Sequence, residues 1–148
     1  MRSLALLALL TFALGGSIAV AQSPQPNPVD PGIANGTKQA KLDGAKRSWK
    51  AARVSNYSYE ISRQCFCPVQ KPGKAVVRNG RLIRYPQGLK DVATVPRLFR
   101  TIQRAIDAKS TRLTVTYGKR GVPSSIYIDS KAYIADEEAG YTIKRFTR

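Results

Sequence analysis

Both cysteines of the chain, Cys65 and Cys67, lie at the end of a segment in which aromatic and polar side chains alternate. In an exported protein, which the first residues predict, two neighbouring thiols are expected to oxidise. Alternate residues of a strand point the same way, but their alpha carbons lie near the upper distance limit for a bridge, so a disulfide needs a bend that Pro68 can help to form. A structural Cys65–Cys67 disulfide is the favoured interpretation. Buried free thiols, thiol-redox chemistry, metal binding and an intermolecular bridge are the alternatives.

Five arginines are candidates for binding an anion, because a guanidinium group forms paired hydrogen bonds with carboxylates and phosphates. Three of them fall on the side of a predicted helix that lies opposite its apolar residues. The other two flank an Asn79-Gly80 turn, where two opposed positive charges are tolerated at a solvated tip or around an anion. A solvated helix face without a ligand is the alternative for the first three. The candidates are Arg78, Arg81, Arg97, Arg100 and Arg104.

Acidic residues are concentrated near the end of the chain, where four of the nine fall between positions 129 and 138. Clustered carboxylates can bind a hard cation such as calcium, which makes Asp129, Asp136 and Glu137 weak metal candidates. Their spacing matches no EF-hand loop, so pairing with nearby lysines and arginines is the favoured interpretation. We therefore expect no metal site and no cofactor.

The chain contains no histidine, and this narrows the chemistry open to it. Ser-His-Asp and Cys-His mechanisms, imidazole proton transfer and histidine metal ligands are all excluded. The patterns Ser-x-x-Lys, Gly-x-Ser-x-Gly and Gly-x-x-x-x-Gly-Lys are absent as well. The sequence thus favours a protein without catalytic activity.

Periodicity predicts the elements that must position these residues. Apolar residues recur every three or four positions at 38–54 and at about 95–108, which predicts two helices, with Trp49 as a core anchor. Alternating patterns predict strands at 57–67, 75–78, 81–84, 112–117, 124–129 and 140–146, and a loop at 130–139.

Two features of the strands can be predicted in more detail. A type I′ turn at Asn79-Gly80 pairs Arg78 with Arg81, Val77 with Leu82 and Val76 with Ile83. In the first strand, a single buried face is predicted for alternate residues, namely Tyr57, Tyr59, Ile61, Cys65 and Cys67.

The order of elements predicts an α+β fold. It reads helix and three strands, then helix and three strands again, or αβββ-αβββ. One helix over three short strands buries little apolar surface, so the two halves are expected to share one antiparallel sheet of about six strands. Both helices are then expected to pack on one face of that sheet.

Three regions are expected along the chain. Residues 1–21 have a basic start, an apolar run and an Ala-Val-Ala cleavage pattern, which predicts a signal peptide. Residues 22–37 are rich in proline and glycine and predict a flexible spacer, and 38–148 predict a single domain. We expect an exported protein, periplasmic or secreted, that is a monomer without a transmembrane segment after cleavage.

Basic residues far outnumber acidic ones, 25 to 9, a formal charge of +16. Without Arg2 of the signal peptide, 24 basic residues remain against 9 acidic residues, or +15. Such a charge favours anionic partners. The partner is unknown from sequence, and an acidic protein or an anionic envelope polymer fits the charge.

As a set, the motifs resemble an uncharacterised family of exported bacterial domains known only as a domain of unknown function. The resemblance covers about 49–146 and depends on the pattern Tyr-x-Tyr, Cys-x-Cys-Pro, Asn-Gly and Asp-Glu-Glu. This chain has Gly118 where the family pattern carries an aspartate. The resemblance implies export and this fold but no established activity. At the level of element order, the chain is also similar to PepSY-like and beta-lactamase-inhibitor-like domains.

These features together favour a small exported binding or accessory protein of the bacterial cell envelope, not an enzyme, with a basic surface for an anionic or acidic partner. A thiol-redox protein that uses Cys65 and Cys67 is one alternative. A purely structural domain is the other.

Overall fold

A computed structural model describes residues 26–68, 71–134 and 136–148. The predicted signal peptide and the first part of the predicted spacer, residues 22–25, lie outside the described residues. Within the described part, the helices are α1 (Pro31–Ala34), α2 (Thr37–Ala51) and α3 (Val95–Asp107). The strands are β1 (Tyr57–Cys65), β2 (Gly73–Arg78), β3 (Arg81–Arg84), β4 (Arg112–Tyr117), β5 (Pro123–Asp129) and β6 (Glu138–Thr147). Lys90–Val92 and Lys119–Gly121 form 3₁₀ turns. No helix in these ranges combines the length and the apolar character needed to cross a bilayer.

The six strands form one antiparallel sheet in the order β3-β2-β1-β6-β5-β4. Each half of the chain therefore contributes three neighbouring strands, and the halves join where β1 pairs with β6. The helices α2 and α3 cover one face, and the predicted α+β architecture with a shared sheet is confirmed. The inward-facing side chains of the strands and the apolar sides of the two helices form a single core.

The inward face of β1 begins as predicted, with Tyr57, Tyr59 and Ile61 buried. The prediction that the same face carries both cysteines into the core is wrong, because Cys65 is half-buried and Cys67 is exposed. The chain leaves the sheet after Cys65, where the amide of Cys67 donates a hydrogen bond to the carbonyl oxygen of Cys65 at 2.8 Å. This bend turns the second sulfur away from the core.

The hairpin between β2 and β3 has the predicted type I′ turn, with positive φ at both Asn79 and Gly80. Two of the predicted pairs are confirmed, namely Arg78 with Arg81 and Val77 with Leu82. The third prediction is wrong, because Val76 pairs with Arg84 across an irregularity that leaves Ile83 out of register and 63% exposed.

Several element ends differ from the predictions. Helix α2 ends at Ala51, three residues early, because the backbone reverses at Arg53, which has a φ of 47°. Strand β6 begins at Glu138, so the predicted loop 130–139 is shorter than expected. In the described part of the predicted spacer, residues 31–34 form α1 and Asp30 is buried.

Candidate functional site

Helix α3 carries the three helix arginines, and its first turn fixes their direction. Thr94 caps the helix, because its Oγ1 accepts a hydrogen bond from the amide of Arg97 at 3.3 Å. Val95, Leu98 and Ile102 are buried against the sheet. The arginine side of α3 therefore points away from the core, as the helical spacing predicts.

Two tyrosine hydroxyls of β1 attach the start of α3 to the sheet. Tyr59 donates a hydrogen bond to the carbonyl oxygen of Val92 at 3.0 Å. Tyr57 accepts one at 3.2 Å from the amide of Val95, which would otherwise be unpaired at the helix start. Burial raises the pKa of both tyrosines, so both hydroxyls keep their protons to a higher pH than an exposed tyrosine does.

The helix arginines line two clefts on the surface of the helical layer. Arg97 is half-buried, and its Nη1 donates a hydrogen bond to the carbonyl oxygen of Lys90 at 2.6 Å. A first cleft of about 320 Å³ has Arg97 and Arg100 on one side. Its other walls are formed by Trp49, Val54, Tyr57, Gly80, Leu82, Thr94 and Pro96. A second cleft of about 440 Å³ is lined by Asp91, Arg100, Gln103 and Arg104.

The hairpin arginines do not line these clefts. Arg78 and Arg81 are exposed and face each other across the turn, as predicted, but neither lines the first or the second cleft. Nη1 of Arg78 donates to the carbonyl oxygen of Val77 at 3.2 Å. The structure therefore places the three helix arginines along these clefts, and the hairpin pair is exposed on either side of a turn whose Gly80 borders the first cleft.

A sixth arginine, Arg63, lies near them and is absent from the sequence-based set. Arg63 follows Ile61 by two residues, so it belongs to the inward parity of β1, and its guanidinium lies 5.9 Å from the centre of the Tyr141 ring. It lines a third cleft, of about 300 Å³, together with Thr101 and Arg104 of α3. The period-two pattern that predicted the inward tyrosines also predicts an inward Arg63.

The charges of these arginines are not neutralised by ion pairs among the described residues. The ion pairs there are Lys38–Asp30, Lys46–Asp43, Lys131–Glu137 and Arg145–Glu60. None of them includes Arg63 or an anion-binding candidate. Asp91 is the acidic residue that lines the second and third clefts, so the stripe Arg97-Arg100-Arg104 keeps an excess of positive charge.

The acidic segment near the end of the chain does not form a metal centre in the described ranges. There, no three acidic or cysteine side chains converge on a point that could hold an ion. Glu137 pairs with Lys131 at 3.4 Å, and Asp129 accepts a hydrogen bond from the amide of Lys131. Asp129, Asp136 and Glu137 are thus not assembled into one site.

A disulfide joins Cys65 and Cys67, whose alpha carbons are 5.2 Å apart. Phe66 between them projects into solvent and is 82% exposed. Cys65 and Phe66 border a shallow cleft of about 590 Å³ that includes Tyr127 and Gly140 at the same end of the sheet. The bridge is therefore at the protein surface and not in the core.

Nothing among the curated proteins or the solved structures matches the chain. One family model matches residues 41–148, which include α2 from its fifth residue onward, α3 and the whole six-stranded sheet, and its description is a family of unknown function. With most of its length in that match, the chain belongs to the family of unknown function DUF6174.

Proposed function

We propose that the protein is a small exported binding or accessory protein of the bacterial cell envelope, without catalytic activity, whose arginine stripe on α3 binds an anionic or acidic partner. The observation that carries this proposal is that Arg97, Arg100 and Arg104 share one helix face without an ion-pair partner in the described part of the chain. Unpaired guanidinium groups held side by side on a helix suit a row of carboxylate, sulfate or phosphate groups.

The surroundings of the stripe support a ligand more than a bare solvated face. Arg97 and Arg100 border a cleft with an aromatic wall, formed by Trp49 and Tyr57. An arginine in a cleft keeps fewer water contacts than one on a convex surface, so an anion there competes with less solvent. The formal charge of +15 that remains without residues 1–21 adds long-range attraction, which raises association rates at low salt.

Retention of residues 22–148 on immobilised heparin, a sulfated polysaccharide, tests the proposal. The triple variant R97Q/R100Q/R104Q is compared with K74Q/R112Q/K144Q, which removes the same charge from three exposed residues on the uncovered face of the sheet. We expect the helix variant to elute at clearly lower salt than the control variant, because site-specific contacts add to the general charge.

Equal elution of the two variants would contradict the proposal, because retention would then follow net charge alone. Retention of neither the wild type nor the control at physiological salt would favour a purely structural domain. Circular dichroism of each variant checks that the fold is kept.

A second candidate function is thiol–disulfide exchange, and the exposure of Cys67 favours it. A thiolate of a dithiol partner would attack Sγ of Cys67, the bond to Cys65 would break, and Cys65 would leave as a thiolate. The second thiolate of the partner would then attack the first sulfur of the partner and break its bond to Cys67. The partner would leave as a disulfide, and Cys65 and Cys67 would remain as a dithiol. Rapid reduction of the native protein by dithiothreitol supports this function, and reduction only after unfolding removes it.

A further inference from the structure

We propose that an extended acidic segment of a partner protein binds the open edge of β3 as an added antiparallel strand and places a carboxylate in the first cleft. The inference rests on the proposed function, since Arg97 and Arg100 of the arginine stripe line that cleft. It goes further by naming the conformation of the partner and the backbone groups that would hold it. Addition of a strand to a free sheet edge is a general mode of peptide recognition.

Strand β3 is the outermost strand on its side of the sheet. Within the part of the chain that the structure describes, no loop or helix backbone hydrogen-bonds to the backbone of Arg81–Arg84. The opposite edge differs, because Oδ2 of Asp30 already accepts from the amide of Leu113 in β4. The cleft beside β4 measures only about 30 Å³, against about 320 Å³ for the first cleft. The β3 edge therefore combines free backbone groups with room for side chains.

The hairpin turn decides which backbone groups of β3 face the open side. In the turn, the carbonyl oxygen of Arg78 accepts from the amide of Arg81, so the N–H and C=O of Arg81 face β2. Successive residues of a strand alternate in this direction, and the N–H and C=O of Leu82 therefore point away from β2. Leu82 is thus the residue to which a seventh strand can hydrogen-bond.

The same residue directs a side chain of the added strand into the first cleft. Residues directly opposite each other on neighbouring strands project to the same face of a sheet. Leu82 is half-buried and lines the first cleft, so the side chain opposite it enters this cleft. A carboxylate there meets Arg97 and Arg100, with which it can form charge-assisted hydrogen bonds. Arg97 is half-buried and Arg100 is exposed, so both can be reached from solution.

Charge selects an acidic peptide and disfavours a second copy of this chain. Among the described residues, no acidic side chain lines the first cleft. Arg81 and Arg84 lie on β3 itself, so two copies paired through this edge would bring like charges together. The same charges attract an acidic segment. Because β3 has only four residues, few main-chain hydrogen bonds can form, and the arginines supply much of the affinity.

Titration with a synthetic peptide of alternating glutamate and threonine, with both ends blocked, tests the proposal. Its glutamates all fall on one face of a strand, and threonine favours the extended conformation. The control peptide carries a methyl group on the amide nitrogen of each glutamate, which keeps the charge and removes the donors that would reach Leu82. We expect it to bind at least about tenfold more weakly than the unmethylated peptide.

Amide hydrogen exchange of the wild-type protein, followed by nuclear magnetic resonance at constant ionic strength, gives a readout that needs no variant. The amide of Leu82 should exchange at least about tenfold more slowly with the peptide bound, because it gains a hydrogen bond. The amide of Val115, which faces the open side of β4 by alternation from Leu113, should not change. Heparin cannot pair as a strand and should leave the amide of Leu82 unprotected.

Arg100 and Arg104 provide matched variants, because both are exposed on the same stripe and only Arg100 lines the first cleft. R100Q should weaken binding of the unmethylated peptide by about tenfold, since it removes a charged donor to the carboxylate. R104Q removes the same charge and should weaken it by less than about twofold at physiological salt.

Four results would overturn the proposal: equal affinity of the two peptides, no protection of the Leu82 amide by the peptide, equal affinity of R100Q and R104Q, or protection of Leu82 in concentrated protein without peptide, which would assign the edge to a second copy. The heparin experiment separates this failure from failure of the proposed function. If R97Q/R100Q/R104Q still elutes before its control, only the added strand is rejected. If that variant matches its control on heparin and wild type on the peptide, the surface function is rejected as well.

Discussion

The hydroxyl groups of Tyr57 and Tyr59 show how single atoms connect the two layers of the fold. Each ring packs in the core, and each hydroxyl reaches the segment that begins α3. Their rings also stack on Phe146, and Trp49 meets Tyr57 edge to face with ring centres 5.2 Å apart. The arginines of α3 therefore depend on these tyrosines for their position, and Tyr57 also lines the first cleft.

The first prediction concerns alkaline pH. Burial raises the pKa of Tyr57, Tyr59 and Tyr117, the last to about 12, whereas unfolded tyrosines ionise near pH 10. A raised pKa in the folded state means that the stabilisation is complete below about pH 10 and is lost as pH rises beyond it. We expect the free energy of unfolding, measured with urea and Trp49 fluorescence, to fall steeply above pH 10.

The variant Y59F separates this effect from general charge repulsion. It leaves the Val92 carbonyl unpaired and should lower stability by about 1 kcal/mol at pH 7, with a shallower fall above pH 10. Y133F removes the hydroxyl of an exposed tyrosine. Its free energy of unfolding should therefore match that of wild type at pH 7 and above pH 10. An alkaline slope in Y59F as steep as in wild type would show that Tyr59 does not contribute to it.

The alternation of residues in β1 predicted its inward tyrosines but not the residue that completes their cluster. In β6, Tyr141 and Ile143 face the core, so strict alternation would turn Phe146 outward. The register between β1 and β6 shifts near Ser58, and Arg145 has a φ of 52°. This bulge restores the inward direction of Phe146. Arginine is not a residue type that signals such a conformation, so the sequence offered no pattern for it.

At the scale of elements, helix α2 packs closely on the 3₁₀ turn that links β4 and β5. The contact is between Ala45 and Gly121, whose φ is 73°. A side chain on Gly121 would overlap the backbone of Ala45, which cannot move without shifting the helix. The glycine therefore satisfies two demands, a left-handed backbone and a close approach of α2.

The second prediction is that G121A is strongly destabilising, by about 2 kcal/mol or more, through overlap and backbone strain together. The reference variant is G44A on the same helix, where an added methyl group would make only an ordinary contact, 3.8 Å from Nη2 of Arg47. G44A should raise stability by up to about 1 kcal/mol, because alanine is the better helix former. Urea unfolding of both variants measures the difference. Equal stability of G121A and wild type would mean that α2 does not sit on this turn.

The element scale also sets the limit of what the sequence predicts about the candidate site. Helical spacing places Arg97, Arg100 and Arg104 on one face, and this depends only on α3 itself. The closeness of Arg63 to Arg104 depends on how α3 crosses β1, which is a packing of distant segments and leaves no local pattern. The prediction that both cysteines lie on the buried face of β1 failed for a similar reason. A bend after Cys65 ends the alternation of inward and outward residues that the prediction had extended to Cys67.

At the scale of the whole molecule, the repeated order of one helix and three strands predicted a shared sheet because either half alone buries too little apolar surface. The strand order is harder to predict from the sequence, because the pairing of β1 with β6 joins segments about 80 residues apart. The role of residues before α2 was not predicted. Asn27 and Asp30 bind the second half of the chain, although their proline-rich surroundings predicted a flexible spacer.

Asp30 connects this first segment to the edge of the sheet. Its Oδ2 accepts a hydrogen bond from the amide of Leu113 in the edge strand β4 at 2.9 Å, and its own amide donates to the carbonyl oxygen of Ser110. Oδ1 accepts from the amides of Gly32 and Ile33 at the start of α1. Burial raises the pKa of Asp30, but these hydrogen bonds and the charge of Lys38 outweigh it, so the pKa is lowered overall.

The third prediction follows from the sign of that shift. A lowered pKa in the folded state means that the stabilisation is complete above the unfolded value of about 3.9 and is lost as pH falls through the folded value. D30N should therefore lower the free energy of unfolding by about 1–2 kcal/mol at pH 7. The gap to wild type should narrow when urea unfolding is repeated near pH 3.

The control for Asp30 is D43N, which removes a half-exposed carboxylate that pairs with Lys46 at 3.8 Å and accepts a hydrogen bond from Gln39, which an asparagine oxygen can also accept. Such a surface pair contributes about 0–1 kcal/mol, so D43N should lie close to wild type at both pH values. A gap between wild type and D30N that stays the same at pH 7 and pH 3 would mean that the charge of Asp30 is not the source of its effect. The effect would then come from a lost hydrogen bond, because the amide of D30N has one acceptor oxygen, whereas both carboxylate oxygens of Asp30 accept from backbone amides.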